Sequence, residues 1–176
     1  MILDVCATKI KPITREDIPE VVDLLKEEGM NYGSVELNLE FFHKVVVDDQ
    51  IVACVAVLPR SGFSEVKSLV VKKEYRSFAI FTQISDFVAF KSLEQKSPCV
   101  VVKVSRHNPA TLLYRRRRFV PLTKEAYPDI YKQLRADCVV CHRIVQSVCN
   151  PVYMVIDTRI TGDTFDQWEA KVAGLL

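Results

Sequence analysis

The sequence predicts an α/β (α+β) protein, a mixed sheet with helices on both faces. Three observations carry this. Short β-branched apolar runs alternate with amphipathic stretches along the chain. Two runs, Phe42 to Val47 and Ile51 to Leu58, flank Asp48-Asp49-Gln50, which signals an antiparallel hairpin. Two more, Phe63 to Val71 and Cys99 to Val104, each lead into a helical stretch, giving strand-to-helix units over 63–96 and 98–118. If their strands are adjacent and parallel, their C-terminal ends define one cleft.

Ala7 to Ile13 reads as a short first strand. Thr14-Arg-Glu-Asp17 then has the form of a capping box, and Ile18, Val21, Val22 and Leu25 recur at helical spacing. The spacing predicts an amphipathic helix over 15–28, with Pro19 tolerated in its first turn and Gly29 ending it. Residues 30–40 read as a loop with a short helix. After the hairpin, Pro59 to Gly62 reads as a turn. The strand from Phe63 follows, and its apolar centre of Leu69, Val70 and Val71 suggests burial on both faces. A helix is expected over 79–96, with Ile80, Ile84, Phe87 and Val88 on one side and Lys91, Glu94 and Lys96 solvated. Pro98 breaks it. Asn108-Pro109 reads as N-cap and first turn of a helix that carries Leu112, Leu113 and Tyr114 and ends near Arg118. Phe119 to Leu122 reads as a strand, whereas 124–136 is ambiguous because Pro128 cuts a helical pattern. Val152 to Ile156 is a last strand. Residues 164–176 read as an amphipathic helix with Phe165, Trp168, Val172 and Leu175 on one face, docked on its own core or on a second copy in a homodimer. No repeat, low-complexity tract or linker appears, so a single domain over 1–176 is expected.

The chain has 176 residues, of which 49% are hydrophobic and 26% charged, ordinary for a domain with its own core. A formal charge of +2 is too small to imply nucleic acid. The apolar runs are short and broken by charges, so no membrane span is expected. Asp4 and the lack of a basic leading stretch argue against a signal peptide and for a cytoplasmic protein. The six cysteines are then expected as reduced thiols, with Cys6, Cys54 and Cys99 as small buried hydrophobes.

The stretch that carries most chemistry is Glu65 to Thr82, a strand, a short charged turn with Arg76, and a helix start. A strand feeding a helix N-terminus suits phosphate-bearing ligands. Glu65 to Arg76 followed by a helix resembles the pattern strand-Y-R-G-x-G-x-G of the GNAT acyltransferase superfamily. Asn108 to Phe119 resembles that family's A-x-x-L-Y-x-x-x-G-F, with Ala110, Leu113, Tyr114 and Phe119 on the matching positions and Arg118 replacing the glycine. In the first motif Ser77, Ala79 and Phe81 replace the three glycines. The resemblance implies a GNAT-like acyl-CoA N-acyltransferase fold and transfer of an acetyl or other acyl group from acyl-CoA to a small-molecule or protein amine.

It implies site residues too. Arg76 and the backbone N–H groups of Ser77, Phe78, Ala79, Ile80 and Phe81 would meet the donor's phosphates, with Asn108 also on the donor side. Backbone at Val70 and Val71 would bond the pantetheine arm and polarise the thioester carbonyl. Tyr114 would protonate the departing thiolate and Glu65 would deprotonate the amine. Other readings stand beside these. Tyr114 also fits a half-buried aromatic on an amphipathic helix, and Glu65 a solvated strand residue. Phe81 either joins the core or fills the diphosphate pocket.

The segments Glu65 to Phe81, Tyr114 to Leu122 and Cys149 to Asp157 also resemble the N-acyl amino acid synthases and autoinducer synthases. These share the fold and can take acyl groups from acyl carrier protein. A third reading is a degenerate, non-catalytic GNAT-like binding module. Residues 20–42 would form the acceptor pocket.

Arg115 to Arg118 are the densest positive run, either a solvated helix end or a contact for an acidic partner. No aromatic residues interleave with them, which argues against nucleic acid. Cys138, Cys141, His142 and Cys149 have metal-ligand residue types, but adjacent Cys141 and His142 fit one ion poorly, so no metal is expected. His107 lies before the helix of Tyr114, as a base or a local hydrogen-bonding residue. His43 has no assigned role.

Overall fold

The computed structural model describes residues 8–105, 108–139 and 151–157. They form two compact units, each discontinuous in sequence. One contains the chain to Leu58 and Val66–Lys91; the other contains Pro59–Glu65 and the chain from Ser92. The secondary structure is the mixed α/β pattern expected, with seven strands and four α-helices among the described residues.

The strand order is β1 (Lys9–Pro12), β2 (Phe42–Val47), β3 (Gln50–Arg60) and β4 (Phe63–Val71), of which the first unit holds β1, β2, β3 to Leu58 and β4 from Val66. β1 and β2 pair antiparallel with Lys9 opposite Val46, and β2 and β3 with Phe42 opposite Ala56. Asp48 and Asp49 sit at φ 48° and 59°, the left-handed pair that a two-residue turn between twisted strands requires. The strand therefore starts at Gln50, one residue earlier than expected. It also runs through Pro59 to Arg60, leaving Ser61 and Gly62 as the next turn, with Gly62 at φ 85°.

The expected capping box is present, as Thr14 donates its backbone N–H to Asp17 at 2.7 Å. Burial works against the charge of Asp17. The bonds from Lys44 (2.6 Å) and Thr14 outweigh it and hold the carboxyl below its ordinary range. Helix α1 (Ile18–Glu27) follows, and its Val21, Leu24 and Leu25 are buried. It ends at Gly29, φ 62°, with Met30 N–H bonding Leu25 C=O. A 3-10 segment, Glu36–Phe41, lies in the expected loop. The core of this unit joins Val21, Leu24 and Leu25 to Phe42, Ile51, Cys54, Leu58 and Val70. Cys54 is a free, buried thiol whose pKa is pushed by desolvation up to about 12, so it packs as a hydrophobe.

Helix α2 (Phe78–Glu94) buries Ile80, Ile84 and Val88 and leaves Phe87 half-buried. It stops short of 96 because Lys96 turns left-handed at φ 53°, with Ser97 N–H bonding Ser92 C=O.

In the second unit the strand order is β5 (Cys99–Ser105), β7 (Pro151–Asp157) and β6 (Val120–Pro121), with both pairings antiparallel. Helix α3 (Ala110–Arg116) starts at Asn108, whose Oδ1 accepts the N–H of Ala110 at 2.9 Å. Pro128 does not cut a helix. It begins one, α4 (Pro128–Val139), at the first position, where a missing N–H is harmless. Phe63, Cys99, Val101, Leu122, Tyr127, Ile130, Leu134, Tyr153 and Val155 form this core. The segments expected as the Trp168 helix, Cys6, His107 and the Cys141-His142-Cys149 cluster lie outside the described residues, as does the side chain of Cys138.

Candidate active site

The first unit holds Val70, Val71 and Arg76 to Phe81. β4 does not bury its centre on both faces. Its burial is continuous from Phe63 to Val66; beyond that Ser68 and Val70 are buried while Leu69 and Val71 are half-exposed. The change coincides with Ser68, which stands at φ 55° in mid-strand, a conformation that non-glycine residues adopt at a conformational cost. Its carbonyl accepts a contact from the Cys54 thiol at 3.5 Å. Backbone strain of this kind gathers at functional positions. No feature of a serine in an apolar run announces it.

From Val71 the chain passes through a 3-10 turn, Lys73–Tyr75, to Arg76. Arg76 donates Nε–H to the Val71 carbonyl at 3.0 Å and pairs through Nη2 with Glu28 at 2.5 Å. Ser77 precedes the helix, and its Oγ accepts the N–H of Ile80 at 3.2 Å. Ser77 is therefore the N-cap of α2, satisfying one of the orphan donors that would otherwise face an anion. Ile80 and Phe81 are buried at 4% and 6% exposure, while Phe78 is 55% exposed. The ring of Phe81 is thus not presented to solvent, and the exposed aromatic of the turn is Phe78.

The second unit holds Glu65, Asn108 and Tyr114. Glu65 is not a solvated strand residue: it is 5% exposed. Arg60 donates both Nε–H (2.8 Å) and Nη2–H (2.6 Å) to Glu65 Oε2, and Nη2 also reaches Asp137 Oδ2 at 2.7 Å. The two-residue turn at Ser61-Gly62 places Arg60 and Glu65 to meet, and α4 brings Asp137. Burial works against the Arg60 charge, but the two carboxylates outweigh it and raise its pKa. Sequence spacing gives no sign of this trio, because it depends on hairpin register and on a helix that begins at a proline.

Tyr114 is 6% exposed, fully inside rather than half-buried. Desolvation raises its phenol well above the ordinary tyrosine value, so the side chain stays protonated at any working pH. Its ring meets Phe119 edge-on, with centroids 5.4 Å apart. That contact belongs to the end of α3. Phe119 N–H bonds Tyr114 C=O and Arg118 N–H bonds Arg115 C=O, both at 3.0 Å, and Arg118 sits between at φ 65°. These are the two bonds and the hydrophobic contact of a Schellman cap. The arginine run is a helix end, with Arg115, Arg116 and Arg118 exposed.

Among the described residues no group of His, Cys, Asp and Glu could hold a metal ion, and no helix is long and apolar enough to cross a membrane.

No protein-family model matches the sequence, and no curated protein matches it. Solved structures do match. N-acetylglutamate synthase from Neisseria gonorrhoeae, complexed with coenzyme A and N-acetyl-glutamate, superposes with a TM-score of 0.66 at 16% identity over 85% of this chain. This chain covers only 35% of that protein. Ard1 from Thermoplasma volcanium gives 0.66 at 16% identity, covering 86% of this chain and 97% of its own. An acetyltransferase of the GNAT family from Staphylococcus aureus Mu50 gives 0.62 at 16% identity, covering 86% and 99%. At this identity the likeness speaks for architecture, and the fold of this chain is the GNAT acyltransferase fold.

Proposed function

We propose that the chain is an N-acyltransferase that moves an acetyl or related acyl group from coenzyme A to an amine. The observation that carries this reading is the strand β4, with Ser68 left-handed in its middle, running through a turn with Arg76 into α2, within a fold shared with an acetyltransferase solved with coenzyme A.

In this reading the donor's phosphate end meets Arg76 and the backbone from Ser77 to Phe81. The fit is partial: Ser77 and Ala79 add little bulk where the family has glycine, and Phe81 is turned inward. The pantetheine arm lies along the backbone at Val70 and Val71, where the half-exposed Leu69 and Val71 side chains leave apolar surface for it. The amine nitrogen attacks the thioester carbon, the C–S bond breaks, and the sulfur takes up a proton. Tyr114 is the residue assigned to give that proton: burial keeps its phenol protonated, at the cost of making it a weaker acid than a free tyrosine. Glu65 accepts the proton lost by the amine, directly or through water. Arg60 occupies its Oε2, so Oε1 is the oxygen assigned to that task. N-acetyl-glutamate in the structure of the first relative makes amino acids the first acceptor class to try.

Calorimetric titration with acetyl-CoA, a longer acyl-CoA and acyl carrier protein tests donor binding; failure of all three removes the enzyme reading. With turnover in hand, Tyr114→Phe is expected to lower kcat about 10–100-fold, and an unchanged kcat removes Tyr114 from the mechanism. The same variant has a second readout. Because the folded phenol holds its proton above the unfolded value of about 10, Tyr114 favours folding below that pH, and this is lost as pH rises through the folded value. Tyr114→Phe should therefore make the fold less sensitive to alkaline unfolding.

A further inference from the structure

Two of the groups of the first unit that would meet a phosphate are already engaged by the chain itself. Arg76 is bound by the Glu28 carboxylate at 2.5 Å and by the Val71 carbonyl at 3.0 Å. The Ile80 N–H is taken by Ser77 Oγ at 3.2 Å. A carboxylate on a guanidinium is the nearest side-chain equivalent of a phosphate on a guanidinium. We propose that Glu28, where α1 ends, weakens the hold of this site on the phosphates of its donor. It stands in for a phosphate on Arg76, and a phosphate-bearing donor binds only by displacing it.

This rests on the acyl-CoA reading of the site. Glu28 acts in two ways. It occupies the guanidinium, and its charge repels a diphosphate brought to the same arginine. Both side chains are partly exposed, 48% for Arg76 and 34% for Glu28, so the pair is screened, weak and reversible. Glu28 therefore lowers affinity by a modest factor and does not block binding. It makes the phosphate end of coenzyme A a weak contributor to recognition, leaving the pantetheine arm and the acyl group to carry selectivity. A chain without glycines in its phosphate loop fits such a division.

The test is calorimetric titration of the purified chain and its variants with coenzyme A. Glu28→Gln removes the charge and should tighten binding about fivefold. Glu28→Asp keeps the charge and should bind as the unaltered protein does. In an Arg76→Ala background, Glu28→Gln should have little effect, because the pair no longer exists. The inference is overturned if Glu28→Gln leaves binding unchanged or weaker, or if the gain persists without Arg76. Those outcomes leave the acyl-CoA reading standing as long as the unaltered protein binds. If neither the protein nor any variant binds coenzyme A, that reading and this inference fall together.

Discussion

Two places in the chain carry other residues where the resembled family has glycine, and they solve the loss differently. At the end of α3, Arg118 takes the left-handed conformation itself, φ 65°, and the Schellman bonds to Tyr114 and Arg115 survive intact. At the start of α2 none of Ser77, Ala79 and Phe81 has positive φ. There the backbone is ordinary, and the replacements only take up space. Ser77 fills it with a capping hydroxyl, and Phe81 directs its bulk inward. A glycine kept for its dihedral can be replaced at a backbone penalty. A glycine kept for clearance can be replaced only if the new side chain has somewhere else to go.

Restoring glycine at each place should therefore give opposite signs. The largest effect is expected for Phe81→Gly, which empties a buried ring site and adds a flexible residue to a helix. Unfolding in denaturant should show a loss of about 4 kcal/mol. A much smaller loss together with tighter coenzyme A binding would put the ring in the donor's path and break the comparison. Arg118→Gly should do the reverse, raising stability by about 1 kcal/mol, because the left-handed residue is no longer strained. Loss of stability there would mean that the arginine side chain contributes more than its dihedral costs. The smallest effect is expected at Ser77. Glycine replaces a serine cap at about 0.3 kcal/mol, while alanine, which neither caps nor relaxes, costs about 1 kcal/mol. Equal losses for the two variants would show that the Ser77–Ile80 bond contributes nothing.

The strands were largely legible in the sequence because apolar runs and turn residues bound them. Phe63 to Val71 is an example, ending where the charged turn begins. Helix ends were less so. Gly29 announces its cap, whereas Lys96 and Arg118 perform the same left-handed role without a residue type that signals it. Pro128 misled because one residue can break a helix or begin one, and only the Thr123 bonds to Ala126 and Tyr127 upstream decide it. In the candidate site, residue types were legible but their partners were not. Glu65 reads as solvated until Arg60, shared with Asp137, closes on it, and Arg76 reads as available until Glu28 does. Such pairs are set by three-dimensional packing, which one sequence does not display.

The Arg60–Asp137 bond joins residues 77 apart in sequence. During synthesis at about 5–20 residues per second, Asp137 follows Arg60 by roughly 4–15 s. Over that interval the nascent hairpin carries the ring of Phe63 without its later core partners, Tyr127 to Leu134, and Arg60 without its second carboxylate. The described residues of the first unit, by contrast, all come from the chain up to Lys91. Emergence from the ribosome thus imposes an order, in which the described residues of the first unit are all synthesised while the hairpin tip still waits for α4.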